Sequence, residues 1–465
     1  MTSKSRNEKL QEKLFTKKES AWESYSPADK ESAFAFAEKY KLFLKESKTE
    51  RLCVKNICSG LKKSGFVELG TQKLKTGDRV FKNYKNKAVL AAVIGQDNSK
   101  FNLIGSHLDS PRLDLKQSPL FEDSGFALLK SHYYGGIKKY HWVNTPLSMY
   151  GVIHTKSGRK VEISIGDNEG DPQFIIPDLL PHLAKKQMEK TGDKIIEGEQ
   201  LNILVGSIPV KDEKIKEKIK FTVLKYLNEK YKITESDFMC AEIEFVPTFN
   251  PVDIGFDKSM IAAYGQDDKC CSFASYWAIR KITNPKRNAI ALFADKEEIG
   301  SMGDSGAASH LLENFVMQLL EASNVNTLPA TVFETSQAIS ADVDGGLNPM
   351  FKEVQDPLNV PLLGHGVTVT KYTGGGGKYS SNDASAEYMQ KVRELLDKNE
   401  IKWQTGELGK IDEGGGGTIA MYMSKYGIDT VDAGPALLAM HSPLEVMSKA
   451  DLYECYKFYK AFFTQ

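Results

Sequence analysis

The stretch 289-AIALFADKEEIGS-301 contains the pattern that decides the fold. Residues 289–294 are six consecutive apolar residues, which is typical of a strand buried on both faces of a sheet. Helical patterns lie on either side of it, at 270–283 and 305–322. Strands that alternate with helices indicate a layered α/β domain. The carboxylates that follow the strand lie where such domains bind ligands, at the carboxyl end of a strand.

The same alternation extends outward from this strand. An N-terminal helix is predicted to begin at Pro27, because Ser26 precedes it as a capping residue. A turn is predicted at 96–99, between two neighbouring strands. The remaining predicted elements are a helix near 50–64, strands at 87–95, 101–106 and 428–432, and helices at 384–397 and 418–425.

The middle of the chain has a different pattern. Residues 110–245 contain short alternating strands, at 148–155 and 160–165, and long charged stretches. We interpret this region as a second domain inserted into the first. The predicted organisation is therefore one α/β domain built from residues 1–109 and 246–465, interrupted by an inserted domain at 110–245.

Composition excludes several classes of protein. The 465 residues include 61 Lys plus Arg and 61 Asp plus Glu, so the formal net charge is zero. This balance argues against a nucleic-acid or membrane partner, since both normally select a basic surface. The six cysteines form no CxxC pair, which is typical of reduced thiols, and the N-terminus has no apolar signal segment. We therefore expect a cytoplasmic location.

Five short segments carry metal-ligating side chains next to predicted strands or at a helix start. Taken singly, each has an ordinary explanation as a polar loop, a helix cap, an acidic turn or a structural histidine. Adjacent glutamates can also point in different directions, so that one ligates a metal while the other acts as a general base. The segments contain His107 with Asp109, Asp267 with Asp268, Asp295 with Glu297 and Glu298, Asp342 with Asp344, and His441.

Taken together, the segments indicate a two-metal site. Two zinc ions ~3.5–4 Å apart require one shared carboxylate, with one imidazole and one further carboxylate for each ion. The five side chains that supply this set are His107, Asp267, Glu298, Asp342 and His441. Glu297 is then left over as the base that takes a proton from water.

The chain resembles the aspartyl aminopeptidase family of cocatalytic zinc metallopeptidases over nearly its whole length. The motifs are short, and it is their order and spacing that make the resemblance specific. They are Ser106-His107-Leu108-Asp109-Ser110-Pro111, Tyr134-Gly135-Gly136, Ile176-Pro177-Asp178-Leu179 with His182, Asp267-Asp268, Glu297-Glu298-Ile299-Gly300-Ser301, Ser340-Ala341-Asp342 with Asn348-Pro349, Tyr379-Ser380-Ser381-Asn382, Gly417-Thr418-Ile419 and Met440-His441-Ser442.

The resemblance implies a particular division of the ligands. His107 and Asp342 would hold one zinc ion, Glu298 and His441 would hold the other, and Asp267 would bridge them. Two Zn(2+) ions per subunit are implied, with cobalt or manganese as substitutes that the same ligands accept.

The resemblance also implies other roles and an architecture. Glu297 would be the general base, Asp109 would support His107, and His182 would reach into the active site of a neighbouring subunit. The implied fold is a zinc-peptidase-type α/β/α sandwich, with a mainly-β dimerisation domain at 110–245. The implied assembly is a tetrahedral dodecamer built from dimers.

Two glycine tracts, at 374–377 and 414–417, are predicted to approach the substrate closely through their backbone. The first is not a phosphate loop, because Tyr379 follows Lys378 where that motif requires Ser or Thr. Lys378 either pairs with a carboxylate of the substrate or is a solvated loop lysine. Gly417 is expected to line the same pocket.

These observations predict a metallo-aminopeptidase that removes the N-terminal residue of peptides with a free amino group. The family resemblance implies a preference for N-terminal Asp or Glu. The alternatives are a neutral N-terminal preference, a different amide substrate for the same metal site, and a catalytically silent scaffold whose assembly matters more than its chemistry.

Overall fold

A nine-stranded sheet forms the centre of the computed structural model, which describes residues 5–16 and 18–465. Four of its central strands run parallel to one another, so their carboxyl ends meet at one edge of the sheet. In spatial order the nine strands are Val67–Glu68, Arg79–Tyr84, Ala88–Val93, Arg287–Ala294, Asp97–His107, Gln337–Ser340, Asp429–Gly434, Val367–Thr370 and Trp403–Thr405.

Helices cover both faces of this sheet and bury it. One face carries a core that includes Phe273 and Phe458, and the other carries a core that includes Phe315 and Phe333. This is the predicted α/β/α sandwich. Among the described residues the α-helices are Arg6–Leu14, Ala21–Ser24, Pro27–Glu46, Glu50–Lys63, Lys185–Met188, Lys218–Tyr231, Gln266–Ile279, Leu311–Ala322, Pro329–Glu334, Ala386–Lys398, Ala420–Ser424 and Lys449–Thr464.

A second sheet, antiparallel throughout, lies between residues 112 and 247 and has its own core. Trp142 is fully buried in that core and meets Tyr264 edge to face. In spatial order its strands are Lys160–Ile165, Leu147–His154, Ala241–Pro247, Arg112–Asp123, Phe126–Tyr134 and Asn202–Gly206. The domain bounds 110–245 and the dimerisation role stay predictions.

Two smaller sheets complete the strands. The two glycine tracts pair with each other, Gly374–Gly375 against Gly415–Gly416. The other small sheet contains strands next to three predicted ligands in the sequence, Asp267, Asp342 and His441. Its strands are, in order, Val252–Ile254, Met260–Ala263, Glu445–Ser448, Ala436–Leu438 and Asp344–Gly345.

Two helices have bounds that differ from the sequence prediction. The helix expected at 305–322 begins at Leu311, because the segment before it returns to the sheet and Ser305 Oγ donates to Asp295 Oδ2 at 2.7 Å. The helix expected at 270–283 lies within the range Gln266–Ile279 and ends at Ile279. Asp267 and Asp268 have non-helical backbone angles, so the regular helix begins only after this predicted bridging pair, close to the expected start.

The turn predicted at 96–99 is wrong. The strand begins at Asp97, which pairs with Arg287, and the next pair in the ladder is Phe101 with Asn288. Residues 98–100 therefore bulge out of the ladder. Polar residues in this bulge produce the same local signal as a turn, and only the pairing with the neighbouring strand distinguishes the two.

Two further features concern membrane-spanning helices and the cysteines. Within residues 5–16 and 18–465, no helix is both long and apolar enough to cross a bilayer. All six cysteines are free, and Cys270 and Cys271 are buried.

Candidate metal centre

The predicted ligands lie at the edge where the parallel strands end. His107 is the last residue of its strand, the turn with Glu297 and Glu298 follows the strand Arg287–Ala294, and Asp342 follows the strand Gln337–Ser340. Parallel strands bring their carboxyl ends together, so segments far apart in the sequence converge here.

The first group of ligand atoms consists of His107, Asp267 and Asp342. The Nε2 atom of His107 is 3.2 Å from Asp267 Oδ1 and 3.9 Å from Asp342 Oδ1. One ligand atom of each residue lies within 4.8 Å of the others. All three are nearly inaccessible to solvent, with side-chain exposures of 1%, 5% and 10%.

The second group consists of Asp267, Glu298 and His441. His441 Nε2 is 3.2 Å from Asp267 Oδ2 and 3.3 Å from Glu298 Oε2. The two groups therefore share the Asp267 carboxylate, one oxygen for each. This arrangement brings all five predicted ligands into one cluster.

The donor set fits a pair of zinc ions. Burial, followed by the charge of Asp267, raises the pKa of Glu298 well above its usual range, and burial does the same for Asp342. Glu298 Oε1 is buried and has no hydrogen-bond partner in the described part of the chain. Three carboxylates packed this closely repel one another, and bound cations would relieve that repulsion and lower these pKa values.

The second nitrogen of each imidazole fixes its tautomer. His107 Nδ1 donates to the backbone oxygen of Asp109 at 3.0 Å, and His441 Nδ1 donates to that of Gly136 at 2.8 Å. A carbonyl oxygen only accepts, so the proton is on Nδ1 in both rings. In the neutral form of each ring, Nε2 then carries the lone pair that a metal ligand must present to the cluster.

Asp109 is buried behind the first group and joins three parts of the site. Its Oδ1 lies 3.4 Å from His107 Nδ1 and accepts from the backbone nitrogen of Glu297 at 3.1 Å. Its Oδ2 accepts from the backbone nitrogen of Glu298 at 3.2 Å. One carboxylate thus fixes the position of the His107 ring relative to the turn that carries the two glutamates.

Glu297 lines the cavity beside the cluster and belongs to neither ligand group. Burial, followed by the neighbouring charges of Asp109 and Asp267, raises the pKa of Glu297 to about 7, although His107 acts in the opposite direction. A carboxylate with such a pKa both accepts and releases a proton near neutral pH.

Glu445 is a part of the site that the sequence analysis did not identify. Its Oε2 accepts from the backbone nitrogens of Gln266 and Asp267, at 2.6 and 3.2 Å, and its Oε1 accepts from that of His441 at 2.8 Å. One buried carboxylate thus ties together the two loops that carry Asp267 and His441. The only signal in the sequence is an acidic residue four positions after His441.

A cavity of about 580 Å³ opens onto the cluster. Both glycine tracts line it, together with Lys378 and Gly417, so these two predicted residues do face the site. The Lys378 ammonium is 3.2 Å from Asp383 Oδ2 and lies 3.8 Å from the centre of the Tyr372 ring. Two buried carboxylates, Asp344 and Asp432, also line the wall.

His182 is not part of this cluster. It lies in a short 3₁₀ helix, Pro181–Leu183, where it is exposed, and it does not line the cavity. A third group of candidate ligands consists of Asp268, Cys270 and Cys271 and is fully buried.

The fold and this donor set together define a metal-dependent hydrolase built on an α/β/α sandwich. The family described as Aminopeptidase I zinc metalloprotease (M18) matches residues 43–463 of the chain. A probable M18 family aminopeptidase 1 from Borrelia garinii subsp. bavariensis is 49% identical over 458 residues, covering 97% of this chain and all of the relative.

Solved structures of similar chains give the same result. The crystal structure of an M18 family aminopeptidase from Thermotoga maritima aligns with a TM-score of 0.93 at 43% identity, covering 97% of this chain and 99% of that one. A structure described as the S. cerevisiae mApe1 dodecamer aligns with a TM-score of 0.74 at 22% identity, covering 92% and 96%. The chain belongs to the M18 family and is a zinc-dependent aminopeptidase, which confirms the family resemblance and the predicted fold class.

Proposed function

We propose that the aminopeptidase works with two zinc ions that share Asp267. The observation that carries this proposal is the shared carboxylate, whose two oxygens each face a different imidazole at 3.2 Å. His107 and Asp342 would hold one zinc, and Glu298 and His441 the other. Imidazole and carboxylate ligands also accept cobalt and manganese.

Zinc bound here would lower the pKa of water and polarise the scissile carbonyl. Glu297 is the side chain that we assign as general base. It lies on the cavity wall beside both ligand groups, where it would first take a proton from the attacking water and then give it to the departing amine. Asp109 holds the backbone of Glu297 and so fixes the direction from which the base acts.

A free N-terminal amino group would be recognised at the metal centre, which makes the enzyme an exopeptidase. For the side chain of that residue, we propose an acidic preference read by Lys378, which lines the cavity. The neutral preference is the second candidate. It is favoured by the ion pair between Lys378 and Asp383 and by the buried carboxylates Asp344 and Asp432 in the same wall.

We also propose that copies of the chain assemble through residues 110–245 into a dodecamer, as described for the yeast relative. His182 would then act in the active site of the neighbouring copy. Its surroundings support this, since exposed apolar side chains lie close to it in the sequence and would be buried by a second subunit. They are Leu179, Leu180, Leu183 and Met188.

A cleavage panel on zinc-loaded protein tests the proposed function. It pairs free and N-acetylated peptides that begin with Asp, Glu, Leu, Lys or Ala. We expect cleavage of the free peptides only, with Asp and Glu fastest. Fast release of Leu or Ala instead would keep the mechanism and replace the acidic preference by the neutral one. Cleavage of the acetylated peptides would overturn the exopeptidase assignment.

A further inference from the structure

The motif Tyr134-Gly135-Gly136 connects the second sheet to the metal centre, and the proposed mechanism gives it no role. It lies at the end of the strand Phe126–Tyr134. A Cβ atom on Gly135 would lie 3.3 Å from the Glu298 side chain, and Gly135 has φ +76°, so a side chain here would be strained and would crowd Glu298. The next residue, Gly136, accepts the hydrogen bond from His441 Nδ1.

Tyr134 contacts the other half of the centre through its side chain. Its hydroxyl donates to Asp109 Oδ2 at 2.9 Å. That oxygen also accepts from the backbone nitrogen of Glu298. The other oxygen of the same carboxylate accepts from the backbone nitrogen of Glu297 and faces His107 Nδ1. A carboxylate with this many donors around it has one orientation that satisfies them all.

The Tyr134 ring is itself held in place. It is 8% exposed, and the Arg112 guanidinium lies 3.9 Å from its ring centre. Arg112 is buried and paired in turn with Asp114 at 2.8 Å, Glu244 at 3.3 Å and Glu50 at 3.5 Å. The position of the phenol ring beside Asp109 is therefore held by buried contacts within the second sheet.

We propose that Tyr134 is a positioning residue for the metal centre. Its hydroxyl fixes the orientation of the Asp109 carboxylate, and through that carboxylate the His107 ring and the turn that carries Glu297 and Glu298. Tyr134 does not line the cavity, so it would act through Asp109 and not on the substrate directly. The inference rests on the proposed metal site, and it makes a strand of the second sheet part of the catalytic apparatus.

The test is Tyr134→Phe, which removes the hydroxyl and keeps the ring on Arg112. We expect zinc affinity, measured by competition with a chromophoric chelator, to fall about 10- to 100-fold, as is usual when a partner behind a metal ligand is lost. At saturating zinc, kcat should fall while KM changes little. Tyr133→Phe is the matched control, because Tyr133 is the adjacent residue of the strand, 41% exposed, and should keep wild-type zinc affinity.

Tyr134→Leu separates positioning from packing. If Tyr134→Phe binds zinc like the wild type while Tyr134→Leu is defective, the ring matters only as packing and the proposal is wrong. The unfolding midpoint of each variant without zinc shows whether the fold is intact. The proposed function has a separate test. If wild-type protein bound zinc but cleaved none of the free peptides, the proposed function would be wrong, and the zinc affinities of the variants would still decide whether Tyr134 is a positioning residue.

Discussion

His107 and His441 approach the same carboxylate from two sides, each with its Nε2 atom 3.2 Å from a different oxygen of Asp267. The two histidines are 334 positions apart in the sequence, one at the end of a central strand and one in the loop before Glu445. A single side chain thus defines the midpoint of the site. The geometry makes separate predictions for the base, for the ligands and for the cavity wall.

Glu297→Gln should separate catalysis from metal binding. Glutamine has the same shape but cannot take a proton from water, so we expect kcat to fall by about 10²–10⁴-fold, the usual contribution of general acid–base catalysis. Zinc content should stay at the wild-type level, because Glu297 belongs to neither ligand group. Steady-state kinetics and elemental analysis on the same preparation measure both quantities.

The control for this variant is Glu407→Gln, which removes another carboxylate that lines the same cavity. It should change kcat far less than Glu297→Gln does. Near-normal turnover of Glu297→Gln would show that another group is the base.

His441→Ala should lose metal. Removing the imidazole leaves Asp267 and Glu298 as the remaining side chains of the second group, and two carboxylates bind zinc more weakly than the complete set. We expect one zinc ion per subunit instead of two after dialysis against a weak chelator. His310→Ala is the matched control, since His310 is exposed and paired with Glu313 away from the cluster. Unchanged zinc content in His441→Ala would remove His441 from the ligand set.

The sequence predicted the α/β fold class, and the five side chains that it indicated as ligands lie together in one cluster. Residues 289–294 are apolar without interruption, and hard ligands follow them directly. The observed strand, Arg287–Ala294, lies in the middle of the sheet, and Glu297 and Glu298 follow it as the pattern indicated. Three of the predicted ligands, His107, Glu298 and Asp342, come together because parallel strands place their ends at one edge. The other two, Asp267 and His441, lie beside strands of the small five-stranded sheet.

Glu445 could not be predicted in the same way. Its role depends on backbone nitrogens of Gln266, Asp267 and His441, and no side-chain pattern records which backbone groups a carboxylate will meet. The same holds for Tyr134, since its hydrogen bond to Asp109 exists only because the second sheet ends at the metal centre. Long-range contacts of this kind require the fold.

Lys378→Met tests which N-terminal residue the cavity selects. If the ammonium reads an acidic side chain, kcat/KM for peptides beginning with Asp or Glu should fall about 10- to 100-fold, the range for a lost charged hydrogen bond of 1.5–3 kcal/mol. The kcat/KM for Leu and Ala peptides should not change. Lys371→Met is the matched control, because Lys371 pairs with the same Asp383 at 2.6 Å but does not line the cavity.

An equal loss on all peptides would contradict the selectivity role and assign Lys378 to loop structure. No change on any peptide would favour the neutral preference, with Lys378 neutralised by Asp383.

Asp432→Asn should change how stability depends on pH. Burial, with a further contribution from Asp344, raises the pKa of Asp432 to about 7, against the hydrogen bond from Thr418. In the unfolded chain an aspartate ionises near pH 3.9, so the folded state holds this proton more tightly. Its contribution to stability is therefore complete below about pH 4 and is lost as the pH rises to about 7.

Asparagine resembles the protonated acid and does not titrate, and its amide oxygen can still accept from Thr418 Oγ1. We therefore expect the free energy of unfolding of the variant to be closest to that of the wild type near pH 4.5, and to increase relative to the wild type as the pH rises. The relative gain should reach about 2–4 kcal/mol near pH 8, the value of a pKa raised by two to three units. Denaturant unfolding of zinc-loaded protein at four pH values measures this difference.

The variant keeps all five ligand side chains, but the charge of Asp432 contributes to the raised pKa of Asp342, so the same comparison on zinc-free protein separates stability from zinc binding. Asp429→Asn is the control, since Asp429 begins the same strand but is exposed beside Lys391. Its stability difference from the wild type should stay nearly constant over the same range. If the Asp432→Asn curve also ran parallel to the wild type, Asp432 would be ionised throughout, and a negative charge would then face the bound N-terminal residue at neutral pH. That result would count against an acidic preference, because a like charge in the cavity wall repels the substrate side chain.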